Sequence, residues 1–250
     1  MKPKNVFSLF VVFAVGLFML YNLPLRAESE DLKKVELEEI SDIRVYAGGI
    51  TVKFVDNSED ILISPGLETV IEDEVFIIKD PERFTFFNWD FYKRWRDDDY
   101  FQIVMGRDWD YGKIEFNAGG ARIEGSAQAD EFIFNTAGLE FSGDLTGEKI
   151  TFNGAGMDIR GYLESKEVDF RGAGLNANLE LVGVELLQLN GIGLNAHLKF
   201  LDTWSEERKI EASSLGGNLL ISVPEQLKES GLLNVETSGV VNVDYDYFTD

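Results

Sequence analysis

Ile114-Glu-Phe116-Asn117-Ala-Gly-Gly120 is followed, 18 residues on, by Phe132-Ile-Phe134-Asn135-Thr-Ala-Gly138. Ile150-Thr-Phe152-Asn153-Gly-Ala-Gly156 and Val168-Asp-Phe170-Arg171-Gly-Ala-Gly174 come next, and Leu187-Gln-Leu189-Asn190-Gly-Ile-Gly193 follows after a slip of one residue. Each line continues with a second short alternation: Ala121-Arg-Ile123, Leu139-Glu-Phe141, Met157-Asp-Ile159, Leu175-Asn-Ala177 and Leu194-Asn-Ala196. An internal repeat of this kind outranks any local signal. The apolar spacing is two, which is the period of a strand with one buried face and excludes a helix. Two such segments flank a Gly-containing corner, where positive φ is cheap.

One line buries too little apolar surface to stand alone, whereas stacked lines bury a continuous column. The fold predicted is therefore all-β: a single parallel β-solenoid (β-helix) with ~18-residue coils. Its core stack is Phe116, Phe134, Phe152, Phe170 and Leu189. Asn117, Asn135, Asn153 and Asn190 recur at one corner, with Arg171 breaking the series. Two structural readings stand: Asn as a turn former, or a hydrogen-bonded ladder between coils. A second polar column, Glu140, Asp158, Asn176, Asn195 and Asn218, is expected to be a solvated face.

The repeat extends in both directions. Ile43-Arg-Val45-Tyr-Ala-Gly-Gly49-Ile-Thr-Val52 aligns without a gap on Ile114 to Ile123, so residues 35–79 read as the first coils, with longer loops. Ile210-Glu-Ala212 resumes the pattern at an offset of 23, and Val235 to Val243 forms the last coil. The tail, Asp244 to Asp250, is acidic and aromatic, and charge on a terminal strand discourages edge pairing.

The insertion at about 81–99 breaks the pattern. Phe84, Trp89, Tyr92, Trp95 and Tyr100 lie in or beside it, among acids that include Asp97, Asp98 and Asp99, and Trp109 follows the returning strand. Three readings apply: a cap over the open end of the coils, a recognition loop in which Trp89, Trp95 and Trp109 bind a partner, or a loop touching a membrane surface. The Asp97–Asp99 run matches no known Ca²⁺-loop spacing and reads as solvated charge.

Lys2 and Lys4 precede the apolar run Val6–Leu23. Eighteen helical residues span about 27 Å, close to the hydrocarbon thickness. Residues 1–27 thus read as a hydrophobic helix, either an uncleaved single-pass anchor or a signal peptide cleaved at the weak site Leu25-Arg26-Ala27. Residues 28–41 form a charged tether and 42–250 the folded domain, outside the cytoplasmic membrane. The net charge of −22 argues against nucleic acid as a partner. No cysteine is present, so neither disulfides nor thiol chemistry contribute.

With the repeats laid out, the chain resembles the toast-rack putative-adhesin family of exported bacterial β-strand-repeat proteins of unknown function. The resemblance rests on Ile43-Arg-Val45…Gly49-Ile-Thr-Val52, the run of strand–Gly–strand lines and the closing Leu220-Ile221-Ser-Val223-Pro224, over roughly residues 35–250. It implies a β-solenoid in the cell envelope, and it carries over no catalytic, binding or cofactor residues. The function expected is a non-catalytic exported scaffold or adhesin-like binding module for an envelope protein or glycan, with no cofactor and no bound metal. The alternative is a carbohydrate-active enzyme on a β-helix scaffold. For it, Glu140 and Asp158 would be neighbours on adjacent coils at about the spacing a retaining glycosidase needs. The lone His197, between Ala196 and Leu198, reads as a satisfied strand residue.

Overall fold

The computed structural model describes residues 32–35, 41–56, 60–81, 100–107 and 111–249. The expected N-terminal hydrophobic helix and the bulk of the insertion lie outside them. No helix among the described residues is long and apolar enough to cross a membrane. The strands are β1 (Lys33–Val35), β2 (Asp42–Val55), β3 (Ile61–Ile63), β4 (Glu68–Glu72), β5 (Val75–Lys79), β6 (Phe101–Gly106), β7 (Tyr111–Thr146), β8 (Lys149–Glu164), β9 (Glu167–Val182), β10 (Leu186–Phe200), β11 (Arg208–Pro224) and β12 (Leu233–Phe248). They form one all-β sheet of twelve strands.

From β7 onward the strands pair in parallel, one repeat apart. Phe134 lies beside Phe152, Phe152 beside Phe170 and Phe170 beside Leu189. The 23-residue offset to Ile210 is kept in the pairing of β10 with β11. β7 holds two repeats side by side, with the Phe116 and Phe134 rings stacked at 5.5 Å.

Each of these strands is folded over. Phe134 and Phe141 have ring centroids 6.2 Å apart. A straight strand would separate residues seven apart by about 23 Å and send them to opposite faces. The chain therefore bends at the Thr136-Ala137-Gly138 corner, and both legs line one core. That core runs unbroken from Ile43 to Val223. Its axis is the phenylalanine column, where Phe134–Phe152 and Phe152–Phe170 stack at 4.8 and 4.9 Å.

Two expectations are corrected. The corner glycines Gly138, Gly156, Gly174 and Gly193 do not have positive φ. The left-handed backbone falls at a second bend, at Gly125 and Gly161. At Gly161 (φ +136°) a Cβ would overlap the Gly143 carbonyl oxygen. At the first bend glycine serves by its smallness: a Cβ on Gly172 would overlap the Gly154 carbonyl.

The second correction concerns chain order. Residues 35–79 are not successive coils, because the strand order is β1-β3-β6-β2-β7. β2 lies between β7 on one side and both β5 and β6 on the other. β5 pairs with the first leg of β2, and β6 with the second. Together they make one outer repeat, split between Lys79 beside Tyr46 and Phe101 beside Ile50. The split thus falls opposite the Ala47-Gly48-Gly49 corner of β2. Around this outer repeat the pairing is antiparallel, β4 with β5, β3 with β6 and β1 with β3. For β4 with β5 the physical cause is the tight turn at Asp73 and Glu74, whose φ values of 50° and 65° reverse the chain.

Candidate functional site

The outward face of the first leg carries the asparagine column. Asn135 Nδ2 donates to Asn117 Oδ1 at 3.0 Å, and Asn153 Nδ2 to Asn135 Oδ1 at 2.9 Å. Asn117 Nδ2 donates in turn to Glu115 at 3.0 Å, and Glu115 is held by Arg44 at 3.0 Å. The ladder is half-buried on the outer face, so it is not a dry internal stack. It stops at Arg171, whose guanidinium reaches back to Asp169. Asn190, beyond Arg171, is exposed and joins no amide among the described residues. Asp169 is 1% exposed, and its oxygens have no hydrogen bond of regular geometry among the described residues. Its compensation is the close approach of Arg171, which is a charge contact. A carboxylate buried to this extent needs a counter-charge, and the Arg171 guanidinium supplies it.

The second leg carries the other polar column, and it is more than a solvated face. Arg122 Nε and Nη2 donate to Glu140 at 3.0 and 2.8 Å. Asn176 donates to Asp158 at 3.3 Å, Asn195 to Asn176 at 3.0 Å and Asn242 to Asn218 at 3.2 Å. Ion pairs also join neighbouring repeats: Lys113–Glu131 (3.1 Å), Lys149–Glu167 (2.6 Å) and Lys209–Glu236 (3.0 Å). Such exposed pairs are individually weak. Their regular recurrence fixes the side chains of the outer surface.

A groove of about 590 Å³ follows the turns that connect successive repeats. Glu148, Glu164, Glu185, Lys166, Trp204 and Arg208 are among its lining residues. Lys166 donates to Glu148 at 2.6 Å, which holds the ammonium above its ordinary pKa. Trp204 is edge-on to Phe200 at 5.6 Å, and the Arg208 guanidinium lies 4.2 Å over its ring. Arg208 is itself anchored to Asp202 at 3.1 and 2.5 Å. The indole N–H of Trp204 is buried without a partner among the described residues.

Of the residues named from sequence, Trp89, Trp95 and Trp109 lie outside the described residues, as does the Asp97–Asp99 run. The stack Phe116, Phe134, Phe152, Phe170 and Leu189 is fully buried. Asn117, Asn135 and Asn153 are brought together, and Asn190 is not. His197 Nε2 is satisfied by Ser222 Oγ at 3.1 Å. Glu140 and Asp158 do sit on adjacent repeats, but each has its own base: Arg122 for Glu140, Arg160 for Asp158 at 2.9 Å. Carboxylates engaged in this way are poorly placed to exchange protons with a substrate. Among the described residues, no three of His, Asp and Glu converge on a point that could hold a metal.

Asp169 and Trp204 were missed from sequence. Asp169 carried only a weak signal: it is an acid between Thr151 and Gln188 in its column, but Glu211 and Glu236 follow it there. Trp204 sits in a loop insertion whose packing has no periodic signature.

No protein-family model matches the chain. No curated protein matches it either. Among solved structures, the chain is similar to a crystal structure of a putative adhesin from Bacteroides fragilis NCTC 9343. The two are 15% identical with a TM-score of 0.48, over 87% of this chain and 98% of that one. A likeness of this degree carries neither fold nor function across to this chain.

Proposed function

We propose that the chain is a non-catalytic β-solenoid of the cell envelope, exported across the cytoplasmic membrane, that acts as a rigid scaffold or adhesin-like binding module. The observation that carries this reading is the in-register stack itself. Every repeat from β7 to β11 is hydrogen-bonded along both legs, filled by one apolar column and tied outside by amide ladders and ion pairs. Such an object presents long, fixed faces, which suits adhesion or spacing. The basic N-terminus followed by the apolar run Val6–Leu23 supports export, either anchored or released. Its partner is then an envelope protein or glycan.

The test uses the full chain in its host. Protease added to intact spheroplasts is expected to digest residues beyond 28. Protection until the membrane is lysed would place the domain inside and overturn export.

A second reading has one observation in its favour: Glu148, Glu164, Glu185 and Trp204 line one groove, as in a carbohydrate-active enzyme. It is the weaker, because Lys166 holds Glu148 and Arg208 covers a face of the Trp204 ring that a sugar would stack on. Release of reducing ends from a polysaccharide, abolished in Glu164→Gln, would replace the first reading by the second.

A further inference from the structure

β12 occupies the last place in the sheet, and among the described residues it pairs with β11 alone. Among the described residues no strand takes its other edge, which carries a row of backbone N–H and C=O groups. The positions that continue the core column are Val235, Val243, Tyr245 and Tyr247, in register with Ile210, Leu219, Ile221 and Val223. The β11 residues are buried, whereas Tyr245 is 47% and Tyr247 37% exposed. The apolar column thus ends on a face that one more strand would cover.

The charge on β12 says what kind of strand. Leu233–Phe248 contains Glu236, Asp244 and Asp246 and no Lys or Arg. Glu236 is paired with Lys209 of the preceding repeat at 3.0 Å. Asp244 and Asp246 lie beside Leu220 and Ser222, and neither has an ion pair among the described residues. Elsewhere in the stack several acids are answered by a lysine one strand over, as at Lys149–Glu167 and Lys113–Glu131. A second copy cannot provide this. Two β12 strands joined about a two-fold axis would place four unpaired aspartates on one small sheet margin, where the nearby lysines are already engaged: Lys228 lies 5.1 Å over the Tyr247 ring and Lys199 5.2 Å over that of Phe248.

We propose that β12 is a docking edge for an extended strand with Lys or Arg at alternate positions and apolar residues between them. The apolar positions cover Val243, Tyr245 and Tyr247 on the second leg. The basic ones answer Asp244 and Asp246, as lysines do between repeats. This is strand addition, in which backbone hydrogen bonds supply affinity and alternate side chains supply specificity. It rests on strand order and charge and does not depend on where the protein resides.

The test uses the full chain and a short labelled peptide of alternating Val and Lys, compared with its Val/Glu counterpart. Net charge alone would attract a basic peptide, so a third peptide keeps the lysines and carries N-methyl groups on the ladder-facing amides. Binding of the Val/Lys peptide is expected to exceed both others at least about tenfold and to slow amide exchange within residues 233–248. The exposed double variant Asp244→Lys/Asp246→Lys should lose that preference and accept the Val/Glu peptide. Equal binding of the N-methylated peptide, or protection confined to other strands, would overturn the proposal. So would self-association of the wild-type chain through β12 in sedimentation, which would assign the edge to a second copy.

Discussion

The middle of the stack and its C-terminal strand obey the same register and bury opposite amounts. Leu179, Leu198, Ile221 and Tyr245 follow one another in a single column. The first three are at most 1% exposed, and Tyr245 is 47% exposed. The N-terminal end behaves differently again, since β3, β4 and β1 wrap its outer repeat in antiparallel pairs. What one strand contributes thus depends on whether a neighbour lies on both sides, as expected of a nearly one-dimensional structure. Identical residue types should therefore carry unequal weight along the column.

The largest effect expected is at the centre. Phe152 is stacked on Phe134 and Phe170, and Phe152→Ala should leave a cavity costing about 3–5 kcal/mol. Tyr245→Ala, at the end, should cost about 1 kcal/mol or less. Equal losses in urea unfolding would break the comparison.

A smaller effect is expected where Arg171 interrupts the ladder. Arg171→Asn would restore an amide to the column but strip the buried Asp169 of its counter-charge. The expected loss is about 1–3 kcal/mol. Adding Asp169→Thr copies the Thr151/Asn153 pair of the preceding repeat, and the double variant should return to within about 0.5 kcal/mol of wild type. A single variant as stable as wild type would mean that Arg171 does not compensate Asp169.

The smallest pair separates the two amide ladders. Asn153→Ala removes a half-buried link between repeats and should cost about 1 kcal/mol. Asn242→Ala removes an exposed link at the last strand and should cost less than about 0.5 kcal/mol. A loss below about 0.5 kcal/mol for Asn153→Ala as well would reduce the first ladder to turn-forming residues.

These contrasts also explain what could be read in advance. The pairings of Ile43 with Ile114, Phe134 with Phe152 and Leu187 with Ile210 were legible, because apolar alternation and recurrent glycine set register locally. The side of β2 on which β5 and β6 lie was not. Likeness between residues 43–52 and 114–123 shows that they pair, and is silent about what pairs with the other edge. The second bend is written in Gly125, Gly143 and Gly161 at 18-residue spacing, but the denser glycines of the first bend mask it. The depth of the asparagine ladder depends on flanking columns, which no single repeat contains. The candidate recognition tryptophans Trp89, Trp95 and Trp109 fall outside the described residues, so the comparison of end and middle does not touch them.

The split outer repeat has one more consequence. β5 and β6 are each hydrogen-bonded to β2 in their own right, so each leg of the outer repeat has its register set independently of the other. Closing a longer loop costs little, about 0.6 kcal/mol for each doubling. Lengthening, shortening or replacing what lies between Lys79 and Phe101 is therefore expected to leave both pairings with β2 in place. That corner is where new sequence can be grafted, by an engineer or by descent, at the least risk to folding.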